Sequence, residues 1–192
     1  MFAKISHRIA DTLEHNGTIQ KADRELYEYG LRQMFITLLN ILTMFLIGLS
    51  MSMLLPAAAF ITAYIPLRVY AGGYHASTPQ RCWAFSAVML FGVLCVLKFT
   101  DVAYYSILAL ISMVSIMLIL VLSPVESHSK PLDENEKHVY HARAIRVLLT
   151  EICLAVLLWF LNFKNMTAVL EMVWCSLSLM LILGKLKYSH VS

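Results

Sequence analysis

Cys82 is the residue of this chain best placed to serve as a nucleophile. In the preceding "STPQR", Thr78 is a good helix N-cap and Pro79 a good first helical residue, so a helix is expected to start there, with Cys82 in or just after its first turn. The free amides and dipole of a helix start favour an anion, and Arg81 and Arg68 add positive charge, conditions that favour a thiolate. A thiolate nucleophile commonly works with a histidine that exchanges protons with it and with the leaving group. His75 lies seven residues earlier in the same polar stretch. On one continuous helix the two α-carbons would stand about 10 Å apart along the axis, too far for a direct hydrogen bond, but Gly72-Gly73 and Pro79 argue against continuity. A loop that doubles back through the glycines would bring the imidazole within about 3 Å of the sulfur. A polar connecting loop with an incidental histidine and cysteine fits the spacing equally well.

Other candidates carry less. Cys95, Cys153 and Cys175 fall inside apolar runs, where a thiol packs as a small hydrophobe. In the segment Ser123 to Arg146, His138 and His141 share a helix face in the manner of metal ligands, with His128 nearby. No cysteine accompanies them, and the surrounding carboxylates read more easily as solvated loop charge, so no metal is expected. Ser77 beside His75 is better explained as a helix-start residue than as a serine nucleophile. Nothing in the sequence calls for a cofactor.

The elements that must position this stretch are apolar. Of 192 residues, 59% are hydrophobic and only 14% charged, and the mean hydropathy is +0.71, outside the range of a soluble domain. Residues 33 to 67 include no Asp, Glu, Lys or Arg. One helix of that length would run to about 50 Å, so two short spans joined near "GLSMS", Gly48 to Ser52, fit a hydrocarbon core of about 30 Å better. Spans are expected at roughly 32–49, 52–68, 82–98, 102–123, 145–162 and 166–184. The expected fold is therefore an all-α, polytopic membrane protein of six transmembrane helices, forming a single membrane domain over 1–192.

Six spans put both termini on one side. That side collects Lys4, Arg8, Lys21, Arg24, Arg32, Arg68, Arg81, Lys130, Lys137, Arg143, Arg146, Lys185 and Lys187, against Lys98 and Lys164 on the other. The positive-inside rule makes it the cytoplasmic side, where basic residues meet anionic lipid and the net charge of +3 needs no nucleic acid. The first 31 residues lack the apolar core of a cleavable signal. Phe2, Ile5, Ile9 and Leu13 recur at helical spacing against Lys4, His7, Arg8, Asp11 and Glu14, as in an interfacial amphipathic helix that Asn16-Gly17 would end. Ile19, Ala22, Leu26 and Tyr29 repeat the pattern in a second.

The motif R-x-Y-A-G-G-Y-H-A-x-T-x-x-x-C, Arg68 to Cys82, closely resembles the signature of the accessory gene regulator protein B (AgrB) family, membrane peptidases that process quorum-sensing propeptides. "PVESHSKPL", Pro124 to Leu132, is similar to that family's proline and Lys-Pro loop after the fourth span. The resemblance implies a cysteine endopeptidase at the cytoplasmic face of the bacterial cell membrane, with His75 as catalytic histidine and Cys82 as nucleophile. Arg68, Gly72 and Gly73 belong to the same motif and would shape the site or contact substrate. The implied substrate is a propeptide with an amphipathic leader and an acidic C-terminal tail, for which Arg68, Arg81 and Lys130 are candidate contacts. A homodimer is expected as well, since six short spans enclose little interior. The rival from another class is a small transporter or channel subunit, whose mark would be ionisable residues within the spans. Only Glu151 and Glu171 qualify, each read as lying near a span end.

Overall fold

The computed structural model describes residues 2–74, 78–101, 104–126 and 133–189. These form helices α1 (Phe2–His15), α2 (Arg24–Ser50), α3 (Leu54–Ala71), α4 (Pro79–Phe99), α5 (Tyr105–Leu122), α6 (Glu134–Phe160) and α7 (Lys164–Ser189). Among the described residues five helices are long and apolar enough to cross a membrane: α2 to α5 and α7. The fifth expected span falls inside α6, where residues 143–160 still carry Arg143, Arg146 and Glu151. That charge keeps α6 out of the five by composition, although it is a continuous helix of 27 residues.

α1 ends where Gly17 takes a left-handed turn at φ +70°, and the chain folds it back onto the base of α2. Ser6 and Ala10 are buried in that contact. Arg24 ties it from outside, with Nη2 2.5 Å and Nε 2.8 Å from Asp11 Oδ1, while His7 Nδ1 meets Glu28 Oε2 at 3.0 Å. Such exposed pairs are screened by water and contribute little net stability, so they fix the angle of α1 more than they stabilise the fold. The expected second amphipathic helix is not a separate element. A 3-10 turn, Lys21–Asp23, leads directly into α2, and nothing between Arg24 and Ser50 stops that helix. Leu26 and Tyr29 accordingly stand exposed on its outer surface.

α7 is the axis of the bundle, packed against α3, α4, α5 and α6. Its spanning stretch is 67% buried, against at most 28% in the other four. The outer helices turn large apolar side chains such as Val88, Phe99, Val121 and Phe160 outward, an exterior suited to lipid rather than water. Helix ends are tied across the bundle by polar side chains. Lys98 Nζ donates to the Met51 carbonyl just past the end of α2 (3.0 Å), and Tyr105 Oη donates to Asn165 Oδ1 (3.1 Å) between the starts of α5 and α7. The α2–α3 junction falls where "GLSMS" suggests, and Gly48 is needed there. A Cβ on it would lie 2.6 Å from the Ala57 Cβ.

Glu151 and Glu171, read from the sequence as lying near span ends, are both buried. Both face inward because their helices place them against α7 or on it. Glu151 lines a cleft of about 550 Å³ between α3, α6 and α7, and Glu171 a cavity of about 410 Å³ between α5, α6 and α7. Trp174 connects the two, lining the second cavity while its Nε1 donates to Glu151 Oε2 at 2.9 Å. Among the described residues Glu151 Oε1 has no hydrogen-bond partner. Trp174→Phe removes the one hydrogen bond this carboxyl has among the described residues. It should lower stability by about 1 to 3 kcal/mol, more than Glu151→Gln, as read from thermal unfolding in detergent.

Candidate active site

The site is built from the end of α3, the loop after it and the start of α4. Phe60, Tyr64 and Arg68 follow one another at i, i+4 spacing on one face of α3. Phe60 is fully buried and its ring stacks on that of Tyr64, with centroids 5.3 Å apart and planes 13° from parallel. At the end of that row the Arg68 guanidinium reaches forward into the loop, and its Nη2 donates to the Tyr74 carbonyl.

The glycine pair sits where α3 stops, and both residues meet a close backbone approach there; the expected hinge toward His75 falls on residues outside those described. Gly72 has φ +74° and ψ −144°, a conformation open to glycine almost alone. It pairs with Val125, in the segment after α5, as an isolated parallel β-bridge. Val125 N–H donates to the Ala71 carbonyl (2.9 Å), and Gly73 N–H donates to the Val125 carbonyl (3.3 Å). A Cβ on Gly72 would fall 2.1 Å from the Val125 carbonyl oxygen. Gly73, at φ +114°, is pressed between Arg68 Nη1 and the Met180 carbonyl of α7. One residue on, Tyr74 N–H donates to the Met180 carbonyl at 2.8 Å. Gly184 permits that approach, since a Cβ there would lie 2.7 Å from Tyr74 N. The loop is thus laid along α7, with the Tyr74 ring tilted against Phe85 of α4 (5.9 Å) and under Lys187 Nζ (4.8 Å).

α4 then begins as the sequence indicates. Thr78 is the N-cap, its Oγ1 accepting from Arg81 N–H at 3.4 Å, and Pro79 is the first helical residue. Cys82 N–H donates to the Thr78 carbonyl at 3.1 Å, so the thiol stands at the end of the first turn, partly exposed. Arg81 beside it is exposed. Trp83 Nε1 donates to Thr43 Oγ1 at 2.9 Å and holds this turn against the middle of α2. The described residues thus set Arg68, Gly72 and Gly73 at the end of α3 and the start of the loop, and Arg81 and Cys82 on the first turn of α4 that follows it. His75, Ser77, His128 and Lys130 lie outside the described residues.

The segment after α5 is fastened from the other side. His141 Nδ1 donates to the Ser123 carbonyl (2.7 Å), and Lys137 bridges Glu126 and Glu134, each at 2.8 Å. Those two carboxylates, Glu126 foremost, hold the Lys137 ammonium well above the ordinary lysine range. Arg143 lies over the Tyr70 ring (5.6 Å), and Tyr140 meets that ring edge-on (6.0 Å). Among the described residues no three His, Cys, Asp or Glu side chains are grouped to hold a metal ion. Cys95 and Cys175 are partly buried in the bundle, and Cys153 lies on its outer surface.

The sequence reading missed Tyr64 and Gly184, and it did not pair Val125, which lies in the PVESHSKPL motif, with Gly72. Tyr64 could have been found from its i−4 relation to Arg68. For Gly184 and Val125 the signal is tertiary, since only the folded chain sets them beside Gly73 and Gly72.

The accessory gene regulator B family model matches residues 6–183. The chain belongs to this family. Membership connects it with the processing of quorum-sensing peptides. Two AgrB-like proteins of Clostridium perfringens are similar to it. The one from strain SM101 is 24% identical over 143 residues, covering 71% of this chain and 67% of that protein. The one from strain 13, AgrB-like protein 2, is 23% identical over the same length and shares. No solved structure matches. For an AgrB-family chain, the loop pinned between α3, α7 and the segment after α5 is the element on which the family's motif lies.

Proposed function

We propose that this AgrB-family protein is a membrane cysteine endopeptidase that removes the acidic tail of a quorum-sensing propeptide and cyclises what remains. The observation that carries the reading is the placement of Cys82. It is a partly exposed thiol on the first turn of a capped helix, beside a loop held by backbone hydrogen bonds on two sides.

In this reading Cys82 Sγ attacks the carbonyl carbon between core and tail, and His75 takes the thiol proton. Collapse of the tetrahedral intermediate breaks the C–N bond, His75 returns the proton to the departing amine, and the core stays on Cys82 as a thioester. A thiol or hydroxyl of the core then attacks the thioester, closing a thiolactone or lactone ring and freeing the Cys82 thiol. For a thiol this second step trades one thioester for another, near balance in free energy. Departure of the tail and of the ring must therefore draw the reaction forward, and water must be kept from the acyl-enzyme. Arg81, Arg68 and Lys130 are the contacts proposed for the acidic tail.

The same reading gives the chain six spans, with α6 as the fifth, both termini and the site on the cytoplasmic side, and α1 at the membrane surface beside the peptide leader. A homodimer completes it. Buried carboxylates such as Glu151 and Glu171 are what a transport reading would call on, but Glu151 is engaged by Trp174.

The test is to trap the intermediate. A propeptide whose ring-forming residue is replaced by alanine should leave its core as a thioester on Cys82, seen as a mass increase on the peptide containing Cys82 and released by hydroxylamine. Free tail without any such adduct, or an adduct on another residue, would reject the mechanism.

A further inference from the structure

His141 belongs to no metal-binding group among the described residues and takes no step in the proposed reaction, yet its imidazole is committed. Its Nδ1 donates to the Ser123 carbonyl at 2.7 Å, with Ser123 Oγ 3.4 Å from the same nitrogen. Ser123 closes α5. Its N–H still donates to the Ile119 carbonyl, but its own carbonyl lies past the last helical turn, and Pro124 brings no N–H to the next position. Ser123 is 7% exposed, so this carbonyl needs a donor from the protein. His141 supplies it from α6, on a turn fixed by the fully buried Ala144 and by Tyr140 against the Tyr70 ring. His138, one turn earlier, is exposed.

The bond matters because of the two residues that follow. Val125 N–H donates to the Ala71 carbonyl and the Val125 carbonyl accepts from Gly73 N–H, so the segment that His141 holds is the one that clasps Gly72 from both sides. Val125 lies in the second motif, Pro124 to Leu132, and Gly72 in the first. The two are joined backbone to backbone, and His141 ties the joint to α6. Lys137 adds a second tie at Glu126, more exposed and screened by water.

We propose that His141 is a positioning residue for the loop between Gly72 and Cys82, holding the strap from Ser123 to Val125 where it clasps Gly72. Its catalytic consequence rests on the endopeptidase reading; the mount itself does not. Nδ1–H donates whether the ring is neutral or protonated, so the strap is held without any proton transfer by His141. A side chain with an N–H at the same reach and no acid–base chemistry should therefore serve. Asparagine is that side chain, its Nδ2 standing where the imidazole Nδ1 does.

The experiment uses the full chain in nanodiscs. His141→Ala should raise hydrogen exchange at the Gly73 and Val125 amides by about tenfold or more, with core amides of α7 such as those of Val173 and Leu177 unchanged. On a propeptide with an amphipathic leader and an acidic tail, kcat should fall about ten- to a hundredfold with KM little changed, the scale of a reacting group misplaced by about 1 Å. His141→Asn should return both readouts to within about threefold of the parent, because it keeps the hydrogen bond. His138→Ala should leave both at parental values. Parental exchange at Gly73 and Val125 in His141→Ala would overturn the proposal, as would raised exchange with parental kcat. So would a folded His141→Asn protein no more active than His141→Ala, since that result assigns the imidazole an acid–base task. Should His141→Ala not fold, His141→Asn is compared with His141→Leu, which fills the space without a donor, on the same two readouts. If Cys82→Ala still cuts propeptide, the endopeptidase reading fails, while exchange at Gly73 and Val125 still decides whether His141 holds the loop.

Discussion

Cys82→Ala should reduce propeptide cleavage to background, a loss of about a thousandfold or more, with no change in thermal stability. The size of the loss follows from chemistry. Without the sulfur there is no acyl-enzyme, and the remaining groups cannot hand the core to its own ring-forming residue. The unchanged stability follows from position. Cys82 is partly exposed on the first helical turn, and alanine is as good a helix former there. The same replacement at Cys95, Cys153 or Cys175 should leave processing largely intact. Cys153 lies on the outer surface of α6, and Cys175 serves only to accept a hydrogen bond from Ser115 at 3.5 Å. Co-expression of each variant with a tagged propeptide, read by mass spectrometry of the products, distinguishes them. A well-folded Cys153→Ala protein that no longer cuts would move the search for the nucleophile to α6. His75→Ala should match Cys82→Ala, since neither the attack nor the departure of the amine proceeds well without a proton carrier.

Gly72→Ala should be as severe, for a different reason. The new methyl would lie 2.1 Å from the Val125 carbonyl oxygen, inside any permitted contact, and φ +74° with ψ −144° is strained for every residue with a side chain. Neither side can yield cheaply. Val125 is bonded to Ala71 and Gly73, and its neighbours Ser123 and Glu126 are fastened to α6. A loss of more than about 3 kcal/mol is expected, with the loop displaced and cleavage gone. Gly92→Ala is the control. No heavy atom lies within 4 Å of its would-be Cβ, and alanine in a helix interior is favoured over glycine by about 1 kcal/mol, so that variant should be neutral or slightly more stable. Thermal unfolding in detergent, run beside the cleavage assay, separates the two. A Gly72→Ala protein with parental stability would mean that the bridge to Val125 does not hold the loop.

Local features were legible in the sequence and long-range ones were not. Thr78 and Pro79 announce the start of α4, Asn16-Gly17 the end of α1, and the charge-free stretch from 33 to 67 a pair of helices with its break near Gly48. Each of these is decided within a few residues by capping, backbone freedom or hydropathy. The continuity of α2 was missed because an amphipathic pattern at 19–29 reads the same whether the helix stops or runs on into lipid. The burial of Glu151 and Glu171 is not legible locally, because it is decided by α7, whose central place no periodicity reveals. The close approach that demands glycine at 72 and 73 is invisible locally, because it comes from Val125 and Met180, one far along the chain and the other on the last helix. The motif itself, with Cys82 and its loop, was readable because its chemistry is contiguous.

The contacts that hold the loop run through amides and carbonyls: Gly73 to Val125, Val125 to Ala71, Tyr74 to Met180, and Arg68 to the Tyr74 carbonyl. Every residue type but proline can supply such an amide, and every residue supplies the carbonyl. The Val125 and Met180 side chains are therefore free of the task of positioning the loop directly, which falls on three glycines, one arginine and the Tyr74 ring packed against Phe85 and Lys187. Side chains along the loop can be exchanged over a lineage while the mount on which the thiol rests stays as it is.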